Sequence, residues 1–430
     1  MGAVIKNSWA LLLGMFMLML GNGVQSTLLG IRGAHEGFST GSMSVIMAAY
    51  FVGFLGGSQM TPWLIRRVGH VRVFAALASF VSAALILYAF APYEFAWLAL
   101  RVVVGFCFSG IFVTAESWLN DSAENETRGQ ALSAYLIVQM MGVVVAQYLL
   151  TLADPNGYQL FVIISVAVSL SFAPILLSVS PVPMFQTTKR MSFRQLFQTS
   201  PLGFVGIFLL GGIFSALFGM TAVYGTEAGL NVGRISTFVA SIYLGGMLCQ
   251  FPIGWASDRM DRRLLIIAIT ALGTLACLLA FWCAGSFAVL LATAFVIGGV
   301  SNPLYSLLLA YTNDYLGHED MAAASGGLIF INGLGAIAGP LVVGWMMAQF
   351  GPGAFFLFIG ALLAMTSVYA FYRTFRREAP TVDETGVYTP IFAAGSPVAA
   401  EVAQEVAIYA DLEAENATDS KPPYHEGTFK

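Results

Sequence analysis

Charge is the scarcest property of this chain. Asp, Glu, Lys and Arg make up 10% of its 430 residues, where a soluble domain carries about a quarter. With 58% of residues hydrophobic and a mean hydropathy of +0.78, a single soluble core would leave large apolar surface in water, so the surrounding solvent is lipid. Cysteine is almost as rare. Cys107, Cys249, Cys277 and Cys283 lie in or beside apolar runs, where a thiol packs as a small hydrophobe; neither a disulfide framework nor a metal site is expected. The histidines, His35, His70, His318 and His425, fall in loops or the tail without ligand spacing. A G-x-S-x-G elbow, an H-E-x-x-H pair and a phosphate-cradling G-x-x-x-x-G-K-[ST] loop are all missing, which argues against an enzyme, a cofactor and ATP-driven pumping. Nothing in the charge balance points to nucleic acid.

What the chain does have is long apolar runs. Twelve stretches near the length that crosses a bilayer lie at 9–31, 42–65, 71–91, 95–118, 129–150, 158–178, 201–223, 235–256, 264–284, 287–311, 322–349 and 354–372. The first lacks a small-residue cleavage site after a short apolar core and reads as a retained span. The runs also repeat. PWLIRRVGHVR at Pro62–Arg72 and GWASDRMDRR at Gly254–Arg263 are Arg clusters 192 residues apart, and an offset of 193 carries Gly105 to Gly298, Asn120-Asp121 to Asn313-Asp314 and Gly142 to Gly335. Six spans fall in each copy, a plan used by secondary transporters that bind between their halves.

The expected fold is therefore an all-α membrane protein with twelve transmembrane helices in two pseudo-symmetric six-helix bundles. Its parts are an N-terminal bundle (1–178), a cytoplasmic linker (179–200), a C-terminal bundle (201–373) and a disordered acidic cytoplasmic tail (374–430). The linker's MSFRQLFQ stretch is amphipathic, as a short helix at the headgroups would be. The tail holds ten of the 23 acidic residues and few large aliphatics; no function is assigned to it, although Glu401–Glu415 alternates small apolar and acidic residues in a way that admits a transient helix. Basic residues accumulate in cytoplasmic loops, and outside the fourth span all but Arg32 and Arg234 among those of the body and linker fall on one side, so both termini are expected in the cytoplasm of a bacterial inner membrane.

Apart from Arg72 at the very start of the third, only Arg101 and Glu116 are charged within the spans, both in the fourth. An ionisable group in hydrocarbon costs several kcal/mol unless it faces a cavity or a partner. At about 100° per residue, Arg101, Gly105, Phe108, Phe112 and Glu116 share one helical face. Arg101 either snorkels to the headgroups or faces the interior, and Glu116 either bonds basic loops or carries a proton. Polar side chains near mid-span are Asn22, Gln25 and Ser26, then Ser109, Gln139, Ser215, Asn302, Tyr305 and Asn332. Of these, Ser109 with Asn302 and Gln139 with Asn332 are partners under the repeat. Each either touches substrate or bonds a neighbouring helix. Phe106, Phe108, Phe112, Phe214 and Phe218 are candidate cavity walls.

The Arg clusters resemble the G-x-x-x-D-R-x-G-R-R signature of the major facilitator superfamily, best kept in the second copy as Gly254, Asp258, Arg259, Arg262 and Arg263. The fourth span shows a similar R-x-x-x-G at Arg101 and Gly105, Arg128-Gly129 opens the fifth, and Gly335, Gly339 and Pro340 resemble a G-x-x-x-G-P motif. The likeness covers residues 9–373. AESWLND at Ala115–Asp121 followed by RGQALSAY from Arg128 is similar to the bacterial YcaD-like branch.

This resemblance implies a carrier working by alternating access, lined by spans 1, 4, 7 and 10 and latched at the cytoplasmic side by the signature loops. Carried over by position, Arg259 is expected to meet Asp314, Arg67 to meet Asp121, and Asp258 to approach the start of the fifth span at Thr127–Gly129. The first copy has Arg66 where the signature has Asp, so Arg66 is expected on Glu319 and Asp320. The resulting expectation is a monomeric proton-coupled exporter of a small neutral or weakly charged organic solute, with Arg101 and Glu116 coupling and Asn22, Gln25, Ser109, Gln139, Asn302, Tyr305 and Asn332 binding. The alternatives are an uncoupled facilitator or uptake carrier, and a transporter-like assembly or sensory factor.

Overall fold

A computed structural model describes residues 2–122, 125–177, 191–283, 285–376, 385–386, 388–391, 396, 398–400 and 402–409; within these, the side chains of 2–7, 121–122, 125–126, 318–319 and 322 lie outside the description. Hydrocarbon offers no water to backbone N–H and C=O groups, so a spanning segment must bond them internally, as a helix does. Twelve helical spans result, each within a few residues of the apolar run that encodes it.

The first half comprises α1 (Gly2–His35), α2 (Thr40–Val68), α3 (His70–Phe90), α4 (Glu94–Ser122) and α5 (Asn125–Leu149), with a sixth span built from α6 (Gln159–Ser171) and α7 (Ala173–Leu177). The amphipathic linker stretch forms α8 (Phe193–Thr199), started by a capping box of Ser192 and Gln195. Phe193 of α8 stacks on Phe330 at 5.4 Å. In the second half, α9 (Pro201–Ser215), a π-turn (Ala216–Met220) and α10 (Thr221–Glu227) make the seventh span. Then follow α11 (Val232–Ser257), α12 (Arg262–Trp282), α13 (Phe287–Asn313), α14 (His318–Phe350) and α15 (Ala354–Thr374).

Packing repeats as the sequence does. In the first half α2 lies on α4, α1 on α5 and α3 on both α4 and α6; in the second, α11 lies on α13, α9 on α14 and α12 on both α13 and α15. The same helices meet at corresponding points. A Cβ added to Gly105 would sit 1.9 Å from the Tyr50 carbonyl oxygen, and one added to Gly298 would sit 1.9 Å from that of Ile242, so only glycine permits either crossing. Between the halves, α2 packs on α14 and α11 on α5, contacts that a twofold rotation exchanges. The most hydrophobic windows of spans 1 and 7 are each 78% buried, against 39% for span 6 and 44% for span 9. Spans 1 and 7 are thus central, and the large apolar side chains exposed on the outer spans, such as Phe90, Leu275 and Trp282, form the lipid-facing belt.

Alternation of the helices puts the Arg-rich loops at one end, called here the basic end, and Arg32 and Arg234 at the other. The halves touch at the end opposite to the basic one. Thr40 donates a hydrogen bond to Glu227, Gly30 lies against Ala222 and Gly344 against Ser44. At the basic end the C-terminal tail lies between them. Where the sequence leads to an expectation of disorder, residues 398–400 are helical, α16 follows at 402–409, and Val398, Ala399, Ala400, Val402 and Ala403 are buried. Tail residues 377–384, 387, 392–395, 397, 401 and 410–430, and linker residues 178–190, lie outside the described residues.

Candidate substrate and coupling site

The close α2–α4 crossing at Gly105 brings the charged face of α4 against α2. One turn away, Arg101 is fully buried, with its guanidinium over the Tyr50 ring at 5.3 Å and in contact with the Met47 sulfur. The cation does not snorkel. Its Nε and Nη1 have no hydrogen-bond partner among the described residues. Tyr88 lies within electrostatic range of it, with Asn22 facing Tyr50 and Gln25 facing Tyr88. Two amides of α1, two phenols and one cation are thus gathered in the first bundle, and Tyr243 of α11 approaches Tyr50 from the second.

Beside this cluster the π-turn of the seventh span shifts the helical register, a local geometry frequent at functional sites. Phe214 and Phe218 stack at 6.0 Å, and Phe218 meets Tyr50 at 5.3 Å and Phe51 at 6.0 Å. This aromatic layer closes the seam between α2 and the seventh span. Of the other expected walls, Phe108 and Phe112 pack on one another within α4's face at 6.2 Å, and Phe106 contacts Gly57 of α2.

Glu116 lies four turns along α4, toward the basic end, and is 2% exposed. Its Oε1 accepts from the Tyr135 hydroxyl at 3.4 Å and its Oε2 from the Ser396 backbone N–H at 3.0 Å. Among the described residues no basic side chain bonds it, although Arg128 of α5 lines a small cavity beside it. Tyr305 of α13 is within electrostatic range from the other bundle, and Gln139 joins Glu116, Tyr135 and Ala399 around a cavity of about 10 Å³, room for about one water molecule. Glu116 is therefore a buried carboxylate at the seam between the halves.

The remaining sites divide. Asn22, Gln25, Gln139 and Tyr305 face the two polar clusters. Ser109 and Asn302 do not: Ser109 packs on Gly57, and Asn302 packs on Gly246 while donating to the Gly298 carbonyl at 3.1 Å. These repeat partners serve the helix crossings, and Asn332 likewise packs against Gly211.

The latch expectations need correction. Arg262, not Arg259, pairs with Asp314, each side chain 2% exposed. Asp261 caps α12 by accepting from Arg263 N–H at 2.8 Å, which directs Arg262 back toward α13. Arg259 instead sits on the exposed turn, its guanidinium over Trp255 at 4.6 Å. Asp258 does not reach Thr127–Gly129; it accepts from the Tyr388 N–H at 2.8 Å. Burial pushes the Asp258 carboxyl above its usual range, against the opposing pull of that N–H and of Arg262. Arg66 is exposed and forms no ion pair among the described residues, Asp320 is exposed, and Arg67 stacks over Trp63 at 5.3 Å. The side chains of Asp121 and Glu319 lie outside the described residues. His70, in the degenerate copy of the signature, bonds Ser117 of α4 at 3.0 Å.

Sequence reasoning passed over Tyr50, Tyr88, Tyr135 and Tyr243. Their signal was available, because a phenol inside an apolar span carries a hydroxyl that must find a partner there. The roles of Gln250 and Ser306, which bond the tail, had no such signal.

Comparison with known proteins supplies the family context. The family model of the Major Facilitator Superfamily matches residues 11–247 and 229–400. The chain is 27% identical over 361 residues to a protein named "Uncharacterized MFS-type transporter YcaD" from Escherichia coli strain 536, covering 82% of this chain and 92% of the relative. Its namesake in Escherichia fergusonii is 25% identical over 358 residues, with the same coverage. Among solved structures, a variant of the nucleoside transporter NupG superposes with a TM-score of 0.72 at 13% identity, over 85% of this chain and 99% of the other. A bacterial homologue of the human lysosomal transporter Spinster, inward-facing and unoccupied, gives 0.64 at 14% identity, over 94% and 98%. At these identities the superpositions establish the shared fold.

Proposed function

Because this chain belongs to the major facilitator superfamily and is a multi-pass membrane transporter, we propose that it exports a small neutral or weakly charged organic solute across the bacterial inner membrane in exchange for protons. The basic end faces the cytoplasm, in accord with the distribution of Lys and Arg. The conformation described is then inward-facing, with its periplasmic seam shut by Thr40, Glu227, Gly30 and Gly344 and its cytoplasmic mouth occupied by the tail.

The observation that carries this reading is the carboxylate of Glu116, buried between the bundles with a phenol and a backbone N–H as partners. A carboxylate can carry a proton, and the place of Glu116 between the bundles lets it exchange one with either side in turn. In this reading a proton on Glu116 and solute at the Arg101 cluster occupy the carrier in turn, an exchange in which an inward proton gradient drives solute outward. Arg101, Asn22, Gln25, Tyr50 and Tyr88 form the substrate-binding surface: several hydrogen-bonding groups, one cation and aromatic walls suit a compact polar organic molecule. A phosphate ester would require more than one cation.

The test begins with a thermal-shift screen of neutral and monoanionic solutes against the purified protein. Flux of the stabilising solute is then followed in proteoliposomes with and without an imposed pH gradient. Gradient-accelerated flux that becomes insensitive to the gradient in Glu116→Gln supports the reading. Equal flux with and without a gradient eliminates coupling in favour of a facilitator.

A further inference from the structure

We infer that the opening between the two bundles at the basic end is a binding site whose ligand is the chain's own C-terminal segment, through its described residues 385–386, 388–391, 396, 398–400 and 402–409, and that its occupancy keeps the opposite end shut. The consequence for opening rests on the carrier reading above, whereas the docking rests on contacts alone.

Those contacts are mostly to main chain. The Tyr388 N–H is taken by Asp258 at 2.8 Å, that of Ile391 by Ser306 at 2.8 Å and that of Ser396 by Glu116 at 3.0 Å. In the other direction, the Ile391 carbonyl accepts from the Ser306 hydroxyl at 3.1 Å, and the Gly386 carbonyl accepts from Arg262. Side chains add Gln250 to the Tyr388 hydroxyl at 2.9 Å, Gln404 to Asn313 at 3.2 Å, and Arg128 to Glu405 at 2.5 Å. Two motif glycines provide room: Gly254 faces the Tyr388 ring and Gly129 faces Val406. The site thus reads a non-helical backbone followed by helical residues, and the small side chains of Val398, Ala399, Ala400, Val402 and Ala403 are buried there between helix ends.

Both halves contribute. Glu116 and Arg128 belong to α4 and α5, while Asp258, Arg262, Ser306 and Asn313 belong to the second bundle, so the segment bridges elements that alternating access must bring together directly. It also fills the space between Glu116 of the first bundle and Asp258 and Arg262 of the second. Docked tail and a closed basic end are therefore mutually exclusive, and the tail must leave before the opposite side opens.

Two single-cysteine reporters test this in a full-length chain whose native Cys107, Cys249, Cys277 and Cys283 are replaced by alanine, each compared with that cysteine-free parent. Ala399→Cys lies in the docked segment and Ser44→Cys on the opposite seam, where both parent side chains are buried. Ala399→Cys is expected to react with maleimide at least about tenfold more slowly in the folded protein than after unfolding in SDS. Replacing Ile391→Pro together with Ser396→Pro removes two buried N–H donors without altering the bundles, and is expected to raise both labelling rates by about tenfold. The inference is overturned if Ala399→Cys labels equally fast folded and unfolded, if the proline pair changes neither rate, or if it frees Ala399→Cys and leaves Ser44→Cys unchanged. No solute is needed for any of these readings, so a failure here is distinct from a failure of the proposed transport activity.

Discussion

Arg101 brings a full charge into the first bundle and places it over the Tyr50 ring, with two of its nitrogens unbonded to protein. A buried cation held this way is a cost to folding rather than a gain. Arg101→Met is therefore expected to keep or raise the melting temperature while abolishing transport, the signature of a residue retained for function. Arg101→Lys is expected to fail as well, since an ammonium lacks the flat face that lies on Tyr50. A fall in melting temperature with transport intact would assign Arg101 a structural role. The crossing glycines behave in the opposite way. Gly105→Ala and Gly298→Ala each force a Cβ to within 1.9 Å of a carbonyl oxygen, an overpacking expected to cost about 3 kcal/mol or more, whereas Gly326→Ala in α14 meets nothing within 4 Å and should gain up to about 1 kcal/mol from helix propensity. Denaturation of the three variants in one detergent decides the ranking. Arg101 and Glu116 were legible in the sequence because an ionisable residue in an apolar run stands out. The phenols around them were not, because tyrosine is common and its usefulness depends on which neighbour its hydroxyl meets.

Among the elements, the helices followed from apolar run length, and their ends from capping residues: Ser39, Ser200, Asn231 and Asp261 each accept from an N–H of the first turn. The pairing of the signature loop was misjudged for the same local reason. With Asp261 as the cap, Arg262 enters the first turn of α12 and reaches the carboxylate of Asp314 at the end of α13, and Arg259 is left on the surface. Removing Asp314 leaves the buried Arg262 only the more distant, half-exposed Asp258 carboxylate at 3.7 Å, so Asp314→Ala is expected to lose about 3–5 kcal/mol. The double variant Arg262→Met with Asp314→Leu should lose less than either single change, because both fully buried charges are removed together; a larger loss in the double variant would contradict this account. The tail was illegible by composition. Its small residues cannot form a core of their own, and only the gap between the bundle ends supplies one. The π-turn at Ala216–Met220 also had no sequence signal, since no proline marks it.

For the whole molecule, the duplication reported by the 192- and 193-residue offsets became a twofold relation in space, with α2 on α14 matched by α11 on α5. What the repeat does not encode is which end is closed, because the helix pairs within each bundle are the same for both halves and the closure lies at the seams between them. That choice rests on contacts such as Thr40 with Glu227 on one side and the docked tail on the other. The central claim is that the two halves rock as bodies about the seam holding Glu116. It is tested most directly by distances between spin labels on opposite halves, with one pair at residues 40 and 227 and a second at residues 66 and 320, followed across pH in nanodiscs. The account predicts two populations whose distances change in opposite senses, the first pair lengthening as the second shortens, with the balance shifting with pH and the shift lost in Glu116→Gln. A single distance for each pair at every pH, or two pairs that lengthen together, would contradict it.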